Sequence, residues 1–112
     1  MYDGLWAIEF EASLGYGCGV LVFNGTQVMG GDAGYYYSGK IKTEGKMSGE
    51  VNVIRFAPNA ISVFGNLDSF TLLIKDGEIN ESSFTANAFV KGAEKLLIKV
   101  KGEKKVEANE TS

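Results

Sequence analysis

The sequence predicts an all-β domain, a small antiparallel up-and-down barrel of seven to eight strands. Three observations carry this expectation. Apolar and polar residues alternate with period two through most of the chain, the pattern of strands that bury one face. Turn signals recur about every 8 to 12 residues, as in short strands joined by tight connections. A flat sheet of that many strands would leave two unpaired edges, so closure into a barrel is favoured. The barrel is assigned to residues 1–101, and the polar segment 102–112 is expected to be a frayed tail or a short helix packed over one end.

Trp6, Ile8 and Phe10 point one way and Glu9 and Glu11 the other, giving a half-buried first strand. Val20 to Phe23 is the second, closed by Asn24-Gly25, a pair suited to a type I′ turn because both of its positions need positive φ. Thr26 to Met29 returns as the third and breaks at Gly30-Gly31-Asp32. Tyr35, Tyr37 and Ile41 alternate against Tyr36, Ser38, Lys40 and Lys42 in the fourth, and Glu44-Gly45 makes the next turn. Val51, Val53 and Arg55 share a face in the fifth, which stops at Pro58-Asn59 because proline removes a backbone donor. Residues 60–65 read as a short strand or a loop. Phe70, Leu72 and Ile74 then alternate up to a turn at Asp76-Gly77. Phe84, Ala86, Ala88 and Val90 follow, Gly92-Ala93 turns the chain, and Leu96, Ile98 and Val100 form the last strand. The expected core is Trp6, Ile8, Phe10, Phe23, Tyr37, Leu72, Phe84, Ile98 and Val100. Fifteen glycines against one proline make bends and bulges easy to place.

The 112 residues fit one domain, which at that size buries roughly 65% of the surface of its unfolded chain. With 45% apolar and 22% charged residues the composition is globular, far from that of a disordered chain. Cys18 is the single cysteine, so no intrachain disulfide can form. Met1-Tyr2-Asp3-Gly4 has neither the basic residues nor the apolar run of a signal peptide, and no stretch approaches the roughly 18 apolar residues of a membrane span. A reducing cytoplasm is the expected location. On that expectation the glycosylation-type triplets at Asn24, Asn80 and Asn109 read as chance.

The net charge of −3 is unevenly spread. Residues 91–105 carry Lys91, Lys95, Lys99, Lys101, Lys104 and Lys105 against Glu94 and Glu103, a local +4 that leaves −7 elsewhere. Such a strip can meet an acidic protein or a phosphate backbone. The plainer alternative is a lysine-decorated edge strand that discourages aggregation, with Lys95, Lys99 and Lys101 as an edge or dimer surface.

Nothing in the sequence points to catalysis. Histidine, the commonest general base and metal ligand, is absent. Cys18, flanked by Gly17 and Gly19, has no evident activating partner, and no metal-ligand spacing occurs. No enzyme activity, cofactor or metal is therefore expected. Gly15-Tyr16-Gly17-Cys18-Gly19 resembles a phosphate loop only superficially, because it leads into a strand and lacks a following Lys-Ser/Thr, so a glycine-kinked hairpin is expected. Tyr35-Tyr36-Tyr37 has the aromatic content of a base-stacking platform, yet alternation turns two of the three inward, towards core packing.

Gly4-Leu5-Trp6 looks like the glycine-x-tryptophan signature of lipocalins, whose tryptophan closes the barrel floor. A longer likeness runs along almost the whole chain. Asp3-Gly4, Cys18-Gly19 before an apolar strand, Asn24-Gly25, Gly30-Gly31-Asp32, Tyr37-Ser38-Gly39 and Gly92-Ala93-Glu94-Lys95-Leu96 resemble, in order and spacing, the GrlR-type negative regulators of bacterial type III secretion. The resemblance implies a lipocalin-like barrel that forms a homodimer and sequesters a helix-turn-helix transcriptional activator, with no direct contact to nucleic acid; from the lack of an apolar span, no membrane contact is expected either. It also implies structural roles for Gly4, Gly30, Gly31, Asp32, Gly39 and Gly92. That family's best-known member captures the activator through four consecutive acidic residues after the fourth strand. Here the place reads Lys42-Thr43-Glu44-Gly45-Lys46, so Lys42, Glu44 and Lys46 are the candidate partner-binding residues and the acidic run is missing.

Two functions from different classes follow. One is a non-enzymatic negative regulator that masks another protein by surface contact. The other is an intracellular carrier that encloses a small apolar ligand. The barrel interior discriminates between them: a solid aromatic core favours the regulator, and an open apolar pocket of several hundred Å3 the carrier.

Overall fold

The computed structural model describes residues 2–108. Among them eight strands follow in chain order: β1 (Gly4–Ala12), β2 (Gly15–Asn24), β3 (Gln27–Gly31), β4 (Tyr35–Lys42), β5 (Met47–Arg55), β6 (Ser69–Ile79), β7 (Ser83–Val90) and β8 (Ala93–Glu107). Each is antiparallel to the next, and β8 returns to pair with β1 from Gly4↔Glu107 to Ala12↔Ile98. The result is a closed up-and-down barrel, and no helix occurs among the described residues.

Alternation sets the inside and the outside as the sequence indicated. Trp6, Ile8, Phe23, Tyr37, Leu72, Phe84 and Ile98 are buried, while Phe10 and Val100 are partly buried against the same cluster. The end where the chain enters is closed by aromatic packing. Trp6 stands 5.3 Å from Phe23 and 5.5 Å from Phe84, centroid to centroid, and Phe23 meets Phe84 edge-on at 6.2 Å. The Trp6 indole donates to the Tyr2 carbonyl at 2.9 Å, so its polar atom is satisfied on the way in. Lys104 lies across the barrel from within β8, its Nζ 5.7 Å from the Trp6 ring and 3.2 Å from Glu107.

Several expectations are corrected. Residues 102–107 are neither tail nor helix but the end of β8, which continues the barrel wall. The segment is polar because Glu103 and Lys105 face solvent; the inward Gly102 leaves room for the Phe84 ring, and a Cβ there would lie 2.1 Å from it. Residues 109–112, with the Asn109 triplet, lie outside the described residues. Because β8 pairs with both β7 and β1, the lysine strip is not an edge strand. Asp76-Gly77 is not a turn. β6 runs through it with a register shift, Asp76 taking φ 55°, so the dipeptide's left-handed propensity makes a bulge inside a long strand. The chain turns instead at residues 80–82, where Asn80 Oδ1 accepts from the Ser82 and Ser83 amides at 2.9 Å each. Gly15 to Gly19 form the first half of β2 and not a kinked hairpin, whose turn sits at Ser13-Leu14. Gly30 and Gly31 lie within β3, and a Cβ on Gly30 would press to 2.0 Å from the Val20 carbonyl.

Candidate functional site

Above the aromatic floor the barrel is not filled. A cavity of about 630 Å3 occupies the interior, with Phe23, Ile41, Met47 and Phe84 at its base and Val51, Val53, Leu72, Ala88 and Ile98 in its walls. It opens towards the far end of the barrel, beside the start of β2 and the β3–β4 connection. Small residues make the space. Ala86 and Ala88 are the inward positions in the middle of β7; Gly17, an inward position of β2, instead leaves room for the Phe10 ring, which a Cβ would approach to 2.7 Å.

The 13-residue connection between β5 and β6 lies over this end, and Ala57 to Val63 form part of the lining. Its anchors come from the strands on either side. Arg55, which alternation turns inward at the end of β5, donates through Nη1 to the Ala60 carbonyl and to Asn66 Oδ1, both at 2.8 Å, and pairs through Nη2 with Asp68. The Tyr35 hydroxyl donates to the Leu67 carbonyl at 2.7 Å, and buried Phe64 packs edge-on against Phe70 at 5.5 Å. The Phe56 amide is held by the Gly34 carbonyl at 2.9 Å.

Polar groups gather at the mouth. Asp32 caps the β3–β4 connection: its Oδ1 accepts from the Gly34 and Tyr35 amides at 2.9 Å each, and its Oδ2 accepts the Tyr37 hydroxyl proton. Burial first, and then the hydrogen bond to Asp32, push the Tyr37 phenol far above its ordinary value of 10.0, so the hydroxyl keeps its proton. Among the described residues Asp32 is the one charged side chain that lines the cavity. Gly19 approaches the same pair from β2, where a Cβ would come within 3.0 Å of the Tyr37 hydroxyl.

The residues singled out from the sequence are scattered. Lys42, Glu44 and Lys46 are exposed at the floor end, remote from the mouth; Lys46 pairs with Glu78 at 2.8 Å, which raises the lysine's pKa and lowers the glutamate's. Lys95, Lys99 and Lys101 are exposed on the outer face of β8, and register sets Lys99 opposite Glu11 and Lys101 opposite Glu9 on β1. The basic strip thus meets acidic neighbours within its own barrel. Gly4 sits where β1 meets the end of β8, Gly39 faces the Glu50 carbonyl, and Gly92 holds the β7–β8 turn at φ 86°. Of the candidate partner-binding, dimer-surface and family-motif residues, Asp32 alone lines the cavity. Cys18 is an exposed thiol, and among the described residues no group of three or more His, Cys, Asp or Glu is placed to hold a metal ion. The sequence reading does not single out Ala86 and Ala88 as cavity-forming; their signal is a pair of small residues at successive inward positions of one strand.

No protein-family model matches the chain, and no curated protein matches it closely enough to count as a relative.

Proposed function

We propose that this protein is a non-enzymatic binding protein that holds a small apolar ligand inside its barrel. The observation that carries the reading is the apolar cavity of about 630 Å3, within the range of small-molecule sites, closed by aromatics at one end and open at the other. It is tested by titrating the neutral fluorophore N-phenylnaphthylamine into the purified protein. Saturable binding of one probe per chain is expected, weakened at least about tenfold in Ala88→Phe, which projects a ring into the space. Val53→Phe serves as a second filling variant, and far-UV circular dichroism checks that each variant is folded. Folded protein that takes up neither the fluorophore nor any lipid from an extract refutes the reading.

A second reading, the regulator that masks another protein as a homodimer, is favoured by one surface. On the outer wall, Val20 of β2, Tyr36 of β4 and Ile54 of β5 follow one register row through Gly31, and exposed Met29 and Phe56 extend it. Tyr36 and Phe56 pack ring against ring at 6.5 Å. Contiguous exposed apolar surface of this kind marks interaction sites. Light scattering on the wild type and on Tyr36→Lys tests it: a dimer that the lysine dissociates supports the reading, and a monomer in both overturns the homodimer.

A further inference from the structure

The polar contacts at the cavity mouth set the chemistry of what enters. Tyr37 is buried and commits its only proton to Asp32 Oδ2, so the hydroxyl has only acceptor capacity left. Asp32 Oδ1 is occupied by two backbone amides, while Oδ2 receives one proton and can receive another. Both atoms that a ligand can meet here therefore accept hydrogen bonds. No lysine or arginine lines the cavity to balance a second negative charge among the described residues. Gly19 lets β2 pack close to the Tyr37 hydroxyl, where any larger residue would collide with it. Tyr16, Cys18, Asn59 and Ser62 also line the cavity, but the Tyr37–Asp32 pair carries its charge, and that pair offers acceptors only.

We propose that the ligand is an amphiphile whose apolar chain fills the barrel and whose head group is a hydrogen-bond donor, a hydroxyl or an ammonium and not a carboxylate, received by Tyr37 and Asp32. The proposal rests on the cavity reading above. A carboxylate head brought to this pair would lose water, find no donor on either of its two oxygens and stand beside the Asp32 charge. A hydroxyl or ammonium supplies the proton that the two oxygens lack, and with an ammonium the contact is charge-assisted.

Matched twelve-carbon probes isolate the head group. Dodecanol below its solubility limit, and dodecylammonium and dodecanoate below their micelle concentrations, are used to displace N-phenylnaphthylamine from the wild-type protein. Dodecanol and dodecylammonium are expected to compete at least about tenfold better than dodecanoate, the cost of leaving a desolvated polar head unpaired. In Asp32→Asn the amide keeps an oxygen for the backbone donors and turns a donor towards the ligand, so the discrimination against dodecanoate should collapse. Tyr37→Phe should lose affinity for dodecanol several-fold without gaining any for dodecanoate. Dodecanoate competing as well as the other two, or a discrimination unchanged in Asp32→Asn, overturns the head-group assignment while the cavity reading stands. A fluorophore that never binds overturns both.

Discussion

Phe84→Ala probes the floor on which the cavity rests. Phe84 is 5% exposed, packs against Trp6 and Phe23, and covers the backbone of Gly102 with its ring. Truncating a buried phenylalanine costs about 3 to 5 kcal/mol through lost transfer energy and the void left behind. The lower end applies here, because one side of the ring already borders the cavity and has fewer packing partners to lose. A loss of about 3 kcal/mol, taken with a urea slope of about 1.5 kcal/mol per M, lowers the denaturation midpoint by about 2 M. Within a total stability of about 5 to 15 kcal/mol that is a large fraction. Leu97→Ala, at a site 61% exposed, is the control and should stay within about 0.5 kcal/mol of wild type. The contact between ring and glycine gives a second measure. Gly102→Ala alone should destabilise by about 1 to 3 kcal/mol, because its methyl collides with the ring. In the Phe84→Ala background that penalty should largely vanish, leaving a coupling of about 1 kcal/mol or more. An unchanged midpoint in Phe84→Ala, or strictly additive effects in the double variant, would refute this account of the floor.

Alkali should weaken the fold through Tyr37. Its folded pKa lies above the unfolded value of 10.0, so the stability it contributes is fully present below pH 10 and declines above it, at up to about 1.4 kcal/mol per pH unit. Denaturation midpoints measured between pH 9 and 11 should fall more steeply for wild type than for Tyr37→Phe, and parallel profiles would contradict the assignment. Glu44→Ala, at an exposed turn remote from the cavity, should leave both fluorophore affinity and stability within about 0.5 kcal/mol of wild type. Duplex DNA should not be retained at physiological salt, because Lys99 and Lys101 already face Glu11 and Glu9; retention that persists as salt rises would count against that.

The wall of the barrel was legible because its information is local. Period-two alternation over Trp6 to Phe10, Tyr35 to Ile41 and Phe84 to Val90 assigns inside and outside without knowledge of the neighbouring strands. The misreadings arose where one residue pattern serves two backbone roles. Asp76-Gly77 supplies the left-handed conformation of a turn, but a bulge needs it equally, and only pairing with β5 and β7 decides between them. The segment 102–107 looked like a tail because its inward positions are a glycine and a lysine. Each becomes a core position only when Phe84 covers the one and Trp6 meets the other. The mouth was legible least: Asp32 and Tyr37 are close in sequence but meet only through the fold of the β3–β4 connection, and Gly19 reaches them only once β2 and β3 are in register.

The distribution of residue sizes explains why a barrel with so much aromatic material is not solid. Trp6, Phe23 and Phe84 are concentrated at one end, where they pack on one another. Further along the axis the inward positions shrink to Ala86 and Ala88 in β7, while Val51 and Val53 of β5 are too short to meet across the gap. Eight strands enclose an interior that side chains can just fill when they are large, so a graded supply of small ones leaves space in proportion. Filling that space with larger aliphatic residues would add buried apolar contact and, where they fit without strain, stability. The sequence instead places alanine there and gathers its polar acceptors at the opening. On the proposed reading, a bound apolar chain would restore the packing energy that this arrangement forgoes. Stability and occupancy would then be linked, a ligand at a hundred times its dissociation constant adding about 2.7 kcal/mol to the folded state.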